Sequence, residues 1–112
     1  MSNALSVAQD YVRTFNAGDA AAMEGLFAER ATLRHPVGFF AGRPAIMAFY
    51  RDRVFGRQAN LVVLAALVEG AVCILELEGR LLAESSERVA RIRDVLRVDT
   101  QGLITDLAVW IG

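Results

Sequence analysis

One change of period divides this chain of 112 residues. Before Gly56 the apolar residues recur mainly at helical spacing; after it they fall into runs of strand length separated by turn residues. Helices first and a sheet afterwards is the order of an α+β domain, and the length suits a single domain spanning 1–112. Leu5, Ala8, Val12 and Phe15 share a helical face, with Ser2 or Asn3 available as a cap and Asn16-Ala17-Gly18 as a stop. Asp19 caps a second helix expected to reach Ala28, with Met23, Leu26 and Phe27 on its inner side. Arg30 to His35 alternates as a strand ended by Pro36 and Gly38. Gly42-Arg43-Pro44 then opens a third helix, with Ile46, Phe49, Tyr50 and Arg53 on one side.

Beyond Gly56, Leu61 to Val68 and Val72 to Glu78 flank a Glu69-Gly70 turn and predict a hairpin. Leu81 to Glu87 reads as an extended loop or a strand extension. Arg88 to Val98 alternates cleanly, and Asp99-Thr100-Gln101-Gly102 turns the chain into a last strand, Leu103 to Ile111. The alternation puts Ala90, Ile92, Asp94, Leu96 and Val98 on one face and Val89, Arg91, Arg93, Val95 and Arg97 on the other.

Asp94 is therefore a carboxyl group set among apolar residues. Such a group is costly to desolvate as an anion, so it is protonated, paired with an arginine at the sheet edge, or serves a purpose. An acid kept neutral by desolvation can donate a hydrogen bond to a developing oxyanion. His35 shares its strand's apolar face with Ala31 and Leu33. It is either a core side chain bonded to a backbone carbonyl or a general base, since burial lowers an imidazole pKa that starts near about 6.5. Tyr11 and Tyr50 lie on separate helices, from which both rings can turn toward the sheet with their hydroxyls free for a polar partner. Phe27, Met47, Phe49 and Trp110 are explained as core, some of them as cavity wall.

Composition removes several classes of function. Twelve arginines against thirteen acidic residues give a net charge of −1, which builds no field for a phosphate backbone, so no nucleic acid is expected as a partner. No lysine is present, which excludes Schiff-base chemistry through a lysine side chain. The lone Cys73 forms no disulfide within the chain, neither Cys pairs nor His clusters supply a zinc site, and a reducing cytoplasm is the simplest home. The longest apolar run, Leu61 to Val68, is too short for a membrane span, and the N-terminus lacks the regions of a signal peptide.

A resemblance joins these segments. Tyr11-Val12, Asn16-Ala17-Gly18-Asp19, Leu26-Phe27-Ala28, Ala31-Thr32, His35-Pro36-Val37-Gly38, Gly42-Arg43, Ile46 and Phe49-Tyr50 resemble the bacterial Δ5-3-ketosteroid isomerases. Asp94 to Asp99, Gly102 and Ile104 resemble the last hairpin of that family. Asn-Ala-Gly-Asp and the Pro-Val-Gly turn are shared with the wider nuclear-transport-factor-2-like superfamily, including SnoaL-like cyclases and limonene-type epoxide hydrolases. The resemblance implies an NTF2-like cone: three N-terminal helices packed on a curved mixed, mostly antiparallel sheet around an apolar pocket, usually in a homodimer. It also implies that Tyr11 and a protonated Asp94 hold a substrate's carbonyl oxygen and that Tyr50 supports Tyr11. Phe27, Leu33, Met47, Phe49, Leu96 and Ile111 would supply pocket walls.

The chain departs from that family where it matters most. His35 stands where the family has the carboxylate that shuttles the proton, and Ile111 falls where the family has an aromatic side chain, with Trp110 on the opposite face. The segment from Leu81 to Arg93 is also longer. The expected activity is proton removal next to a carbonyl by His35, with the enolate held by Tyr11 and Asp94 and no metal or organic cofactor. The ligand would be a small apolar or polycyclic carbonyl compound. The rivals are a SnoaL-like cyclase, an epoxide hydrolase, and a non-catalytic module that binds a lipophilic ligand.

Overall fold

The computed structural model describes residues 3–81 and 88–112. Helix α1 (Ala4–Ala17) starts where the Asn3 side chain accepts a hydrogen bond from the Ser6 N–H at 2.7 Å. It stops at Gly18, whose φ of +64° lies in the left-handed region. Its buried residues are Ala4, Val7, Ala8, Tyr11 and Val12. Leu5, expected on the inner face, is exposed, because the helix is rotated so that Tyr11 packs inward. Helix α2 (Ala20–Glu24) begins as expected, with the Asp19 side chain accepting from the Ala22 N–H at 3.0 Å. The expected continuation to Ala28 does not form. From Phe27 the backbone is already extended, because Phe27 pairs with Ile104 of the last strand.

Strand β1 (Phe27–His35) is thus longer at its start than its alternation suggested, and it turns through Pro36 and Val37 into an unanticipated edge strand, β2 (Gly38–Ala41). Gly-Phe-Phe-Ala is too short and uniform to display a strand period. Helix α3 (Arg43–Phe49) carries Pro44 in its first turn and then widens into a π-helical turn, Tyr50–Val54, followed by a 3-10 turn, Phe55–Arg57.

The remaining strands are β3 (Ala59–Glu69), β4 (Val72–Leu81), β5 (Arg88–Val98) and β6 (Ile104–Ile111). The β3–β4 turn is made by Gly70 and Ala71, one residue later than expected, with Gly70 at φ +57°. The Leu81–Glu87 expectation, apart from Leu81 at the end of β4, lies outside the described residues. Together the six strands form one curved sheet in the order β2-β1-β6-β5-β4-β3, antiparallel throughout except for β1 against β6.

The α+β expectation holds. Helix α1 lies across β3, β4 and β5, while α3 lies across β1 and β2. Between helices and sheet sit Met23, Phe27, Leu33, Ile46, Met47, Leu75, Leu77, Leu96 and Leu107, all fully buried. The Asn16 side chain accepts from the Leu61 N–H at 2.7 Å and donates to the Leu61 carbonyl at 2.9 Å, which ties the end of α1 to the start of β3. Among the described residues no helix is long and apolar enough to cross a membrane.

Candidate active site

Four polar side chains converge beneath the helices, each brought there by a different element. Tyr11 comes from the buried face of α1, and Tyr50 from the point where α3 widens into its π turn. Asp94 comes from the middle of β5, and His35 from the last residue of β1. All four line one cavity of about 70 Å³, whose apolar walls include Phe15, Phe49, Val54, Leu61, Ile92 and Val109.

The two tyrosine hydroxyls are 2.7 Å apart, and Tyr11, Tyr50 and Asp94 are each 2% exposed. Two hydroxyls bonded to each other consume one of their two protons, so the second O–H remains available to a ligand. Tyr50 is held in place by aromatic contacts on several sides, with Phe27, Phe49 and Phe55 ring centroids 6.2, 5.6 and 5.7 Å away. Burial pushes the Tyr11 hydroxyl well above its ordinary pKa, and Tyr50 and Asp94 push it further. Burial also raises Tyr50, so both side chains are neutral donors at physiological pH.

Asp94 lies on the inner face that the alternation assigned to it, between Ile92 and Leu96, and its Oδ1 is buried with no hydrogen-bond partner among the described residues. Desolvation raises its pKa from 3.8 to about 7, so below that pH the carboxyl group carries a proton and acts as a donor. Arg91, Arg93 and Arg97 are exposed on the opposite face of β5. Among the described residues no guanidinium lines the cavity.

His35 is half-buried against Phe49, with ring centroids 4.8 Å apart and planes at 59°. Burial lowers its pKa below 6.5, and the nearby charge of Arg53 lowers it further, so the ring is neutral at pH 7. The Val37 N–H donates to Nδ1 at 3.3 Å. In the neutral ring that contact puts the proton on Nε2 and leaves Nδ1 as the basic nitrogen.

Among the residues expected as walls, Phe49 lines the cavity. Phe27, Leu33, Met47 and Leu96 are fully buried in the core around it. Ile111 ends β6 at 48% exposure, and the position across the sheet from Asp94 is held by Val109. Phe15, Val54, Leu61 and Ile92 were not among the expected walls. Spacing could have found three of them: Phe15 follows Tyr11 and Val54 follows Tyr50 by four positions, and Ile92 precedes Asp94 by two.

The SnoaL-like domain family matches residues 8–107 of the chain. No curated protein sequence matches it. An NTF2-like protein of unknown function from Cytophaga hutchinsonii superimposes with a TM-score of 0.82 at 16% identity, over 100% of this chain and 92% of that one. SalBIII, described as an epoxide hydrolase/cyclase-like enzyme in pyran ring formation in the polyether salinomycin, gives 0.86 at 21% identity, covering 96% and 89%. A candidate ketosteroid isomerase from Kribbella flavida gives 0.82 at 19% identity, covering 96% and 76%. At these identities the structural likeness establishes the fold alone: an NTF2-like cone.

Proposed function

Because the chain belongs to the SnoaL-like domain family, we propose that it is a ketosteroid isomerase-like small-molecule enzyme that moves a proton next to a carbonyl group. The observation that carries this reading is the buried, unpartnered Oδ1 of Asp94, in a cavity shared with the Tyr11–Tyr50 pair and His35. A buried polar atom without a partner costs stability, and a ligand oxygen is the partner that would satisfy it.

In the proposed step, Nδ1 of His35 gives up its long contact with Val37 and takes a proton from the carbon between a carbonyl and a β,γ double bond. The electron pair moves onto the carbonyl oxygen, and the resulting dienolate is met by the Asp94 and tyrosine O–H donors. Return of that proton to the γ-carbon gives the conjugated enone, so no atom is gained or lost and no redox partner is called for. Epoxide opening with an arginine beside the carboxyl is less well supported, since Arg91, Arg93 and Arg97 stand on the other face.

The test is binding of phenol, whose oxygen imitates an enolate, at pH 6, where Asp94 holds its proton. Saturable binding is expected, with Tyr11→Phe and Asp94→Leu, which each remove a donor at little change in shape, weakening it about tenfold, the value of one hydrogen bond in a dry site. Phenol affinity that ignores both substitutions would remove the oxyanion reading.

The reading extends to a homodimer formed through the outer face of the sheet. There Leu67, Ile74 and Val95 lie side by side on adjoining strands, Leu67 at 65% exposure, next to Trp110 at 56%. Glu76 and Arg93 pair at 3.1 Å on the same face, which offers both signs of charge to a second copy. Sedimentation should give a dimer, and Leu67→Glu, which alters an exposed site, should give a monomer. A wild-type protein that sediments as a monomer at assay concentrations would dispose of the dimer.

A further inference from the structure

We infer that the cavity admits a small carbonyl compound, acyclic or with a single ring, and that Ile92 seated on Gly79 sets this limit; the inference rests on the reading of the site given above. The cavity's volume is about 70 Å³. A dry cavity of about 150 Å³ is the kind that holds benzene. Pockets that engulf drug-sized ligands run from about 300 to 1,000 Å³. A fused polycyclic skeleton therefore cannot be taken in behind the donors without displacing wall side chains. A single ring can enter with its oxygen toward Asp94 and its far edge left in the mouth, where His35 is half-exposed.

The wall that decides the size comes from a notch in the sheet. Gly79 of β4 is paired with Leu61 of β3, and its neighbour two residues back, Leu77, is paired with Ile92 of β5. Gly79 is not among the glycines with positive φ, so the conformational freedom of glycine does not explain it. Space does. A Cβ at position 79 would stand 2.6 Å from Cδ1 of Ile92 and 3.7 Å from Cδ2 of Leu61, both of which belong to cavity-lining side chains. The tip of Ile92 thus occupies the room that a side chain at 79 would take. Pulled back this far, Ile92 still leaves only the small cavity. Adding a methyl at 79 should push Ile92 forward and shrink the cavity, whereas shortening Ile92 should enlarge it.

The experiment titrates phenol, 2-naphthol and equilenin, a series of increasing ring number with the same oxygen, against wild type, Gly79→Ala, Ile92→Ala and Asp94→Leu at pH 6. Apolar burial alone would make affinity rise with each ring. Wild type is expected to do the opposite, with 2-naphthol about tenfold or more weaker than phenol and equilenin not saturating, a steric discrimination of ordinary size for a close-fitting pocket. Ile92→Ala should strengthen 2-naphthol about tenfold, and Gly79→Ala, whose clash is with a flexible side-chain tip, should weaken phenol by a similar factor. Affinity that climbs with ring number in wild type, or an order that Ile92→Ala leaves unchanged, would overturn the size limit while leaving the site reading intact. Phenol affinity that Asp94→Leu does not move would instead remove the site reading on which the limit rests.

Discussion

At pH 8, Asp94→Asn is expected to make the protein more stable than its parent by about 4 kcal/mol, a gain that vanishes below about pH 4. The folded protein keeps the Asp94 proton up to about pH 7, whereas the ordinary value is 3.8. Between those two values the folded state binds more protons than the unfolded state, so stability falls as the pH rises. Above about 7 both states are ionised and the full cost of a buried carboxylate remains; below about 4 both are protonated and the cost is absent. Each pH unit between the two values is worth about 1.4 kcal/mol, which gives the figure of about 4. Asn carries no charge at any of these pH values and escapes the penalty. Urea denaturation of both proteins from pH 3.5 to 8.5 checks this. A stability difference that does not change with pH would mean that Asp94 is solvated or paired in the folded protein. The same carboxyl group that weakens the fold is the one proposed to hold substrate, the usual tension between stability and a prepared site.

The second large effect is on turnover. His35→Ala is expected to lower kcat/KM for isomerisation of cyclohex-3-enone by about 10²- to 10⁴-fold, the typical contribution of a positioned base. Phenol affinity should change by less than about threefold, because phenol offers no carbon-bound proton for the base to take. The pH profile supplies an independent signature. Activity should rise as His35 loses its proton below 6.5 and fall as Asp94 ionises near 7, giving a narrow bell. His35→Ala should lose the acid limb, and Asp94→Asn the alkaline limb. Ultraviolet absorbance of the conjugated product reads both. If His35→Ala weakens phenol as much as it slows turnover, His35 is a wall of the cavity and no base.

How much of this was legible in the chain depends on the range over which each feature is specified. The inward face of Asp94 followed from its neighbours at two-residue spacing, and the buried face of β5 agrees with it. The Asp19 cap, the choice of Ser2 or Asn3 as the first cap, and the stop at Gly18 are equally local, since a cap bonds to a backbone group three residues away; the structure selects Asn3. Met23, Leu26 and Phe27 have helical spacing, yet helix α2 ends at Glu24, because Phe27 is drawn into the sheet by a strand that starts at Ile104. The edge strand β2 leaves no signal in the sequence, because a four-residue run holds too few positions to show a period.

The site divides along the same line. Local alternation and capping determined the class of fold, the segments that carry Tyr11, His35, Tyr50 and Asp94, and the face that Asp94 presents. Only tertiary structure decided that hydroxyls 39 residues apart meet at 2.7 Å. It likewise set Val109 rather than Ile111 across the sheet from Asp94, and let Ile92 rest over Gly79 to leave about 70 Å³. The physical reason is range. Backbone periodicity is set by nearest neighbours, whereas the rotation of α1, the register of β5 on β6 and the space left between them come from packing the whole core at once.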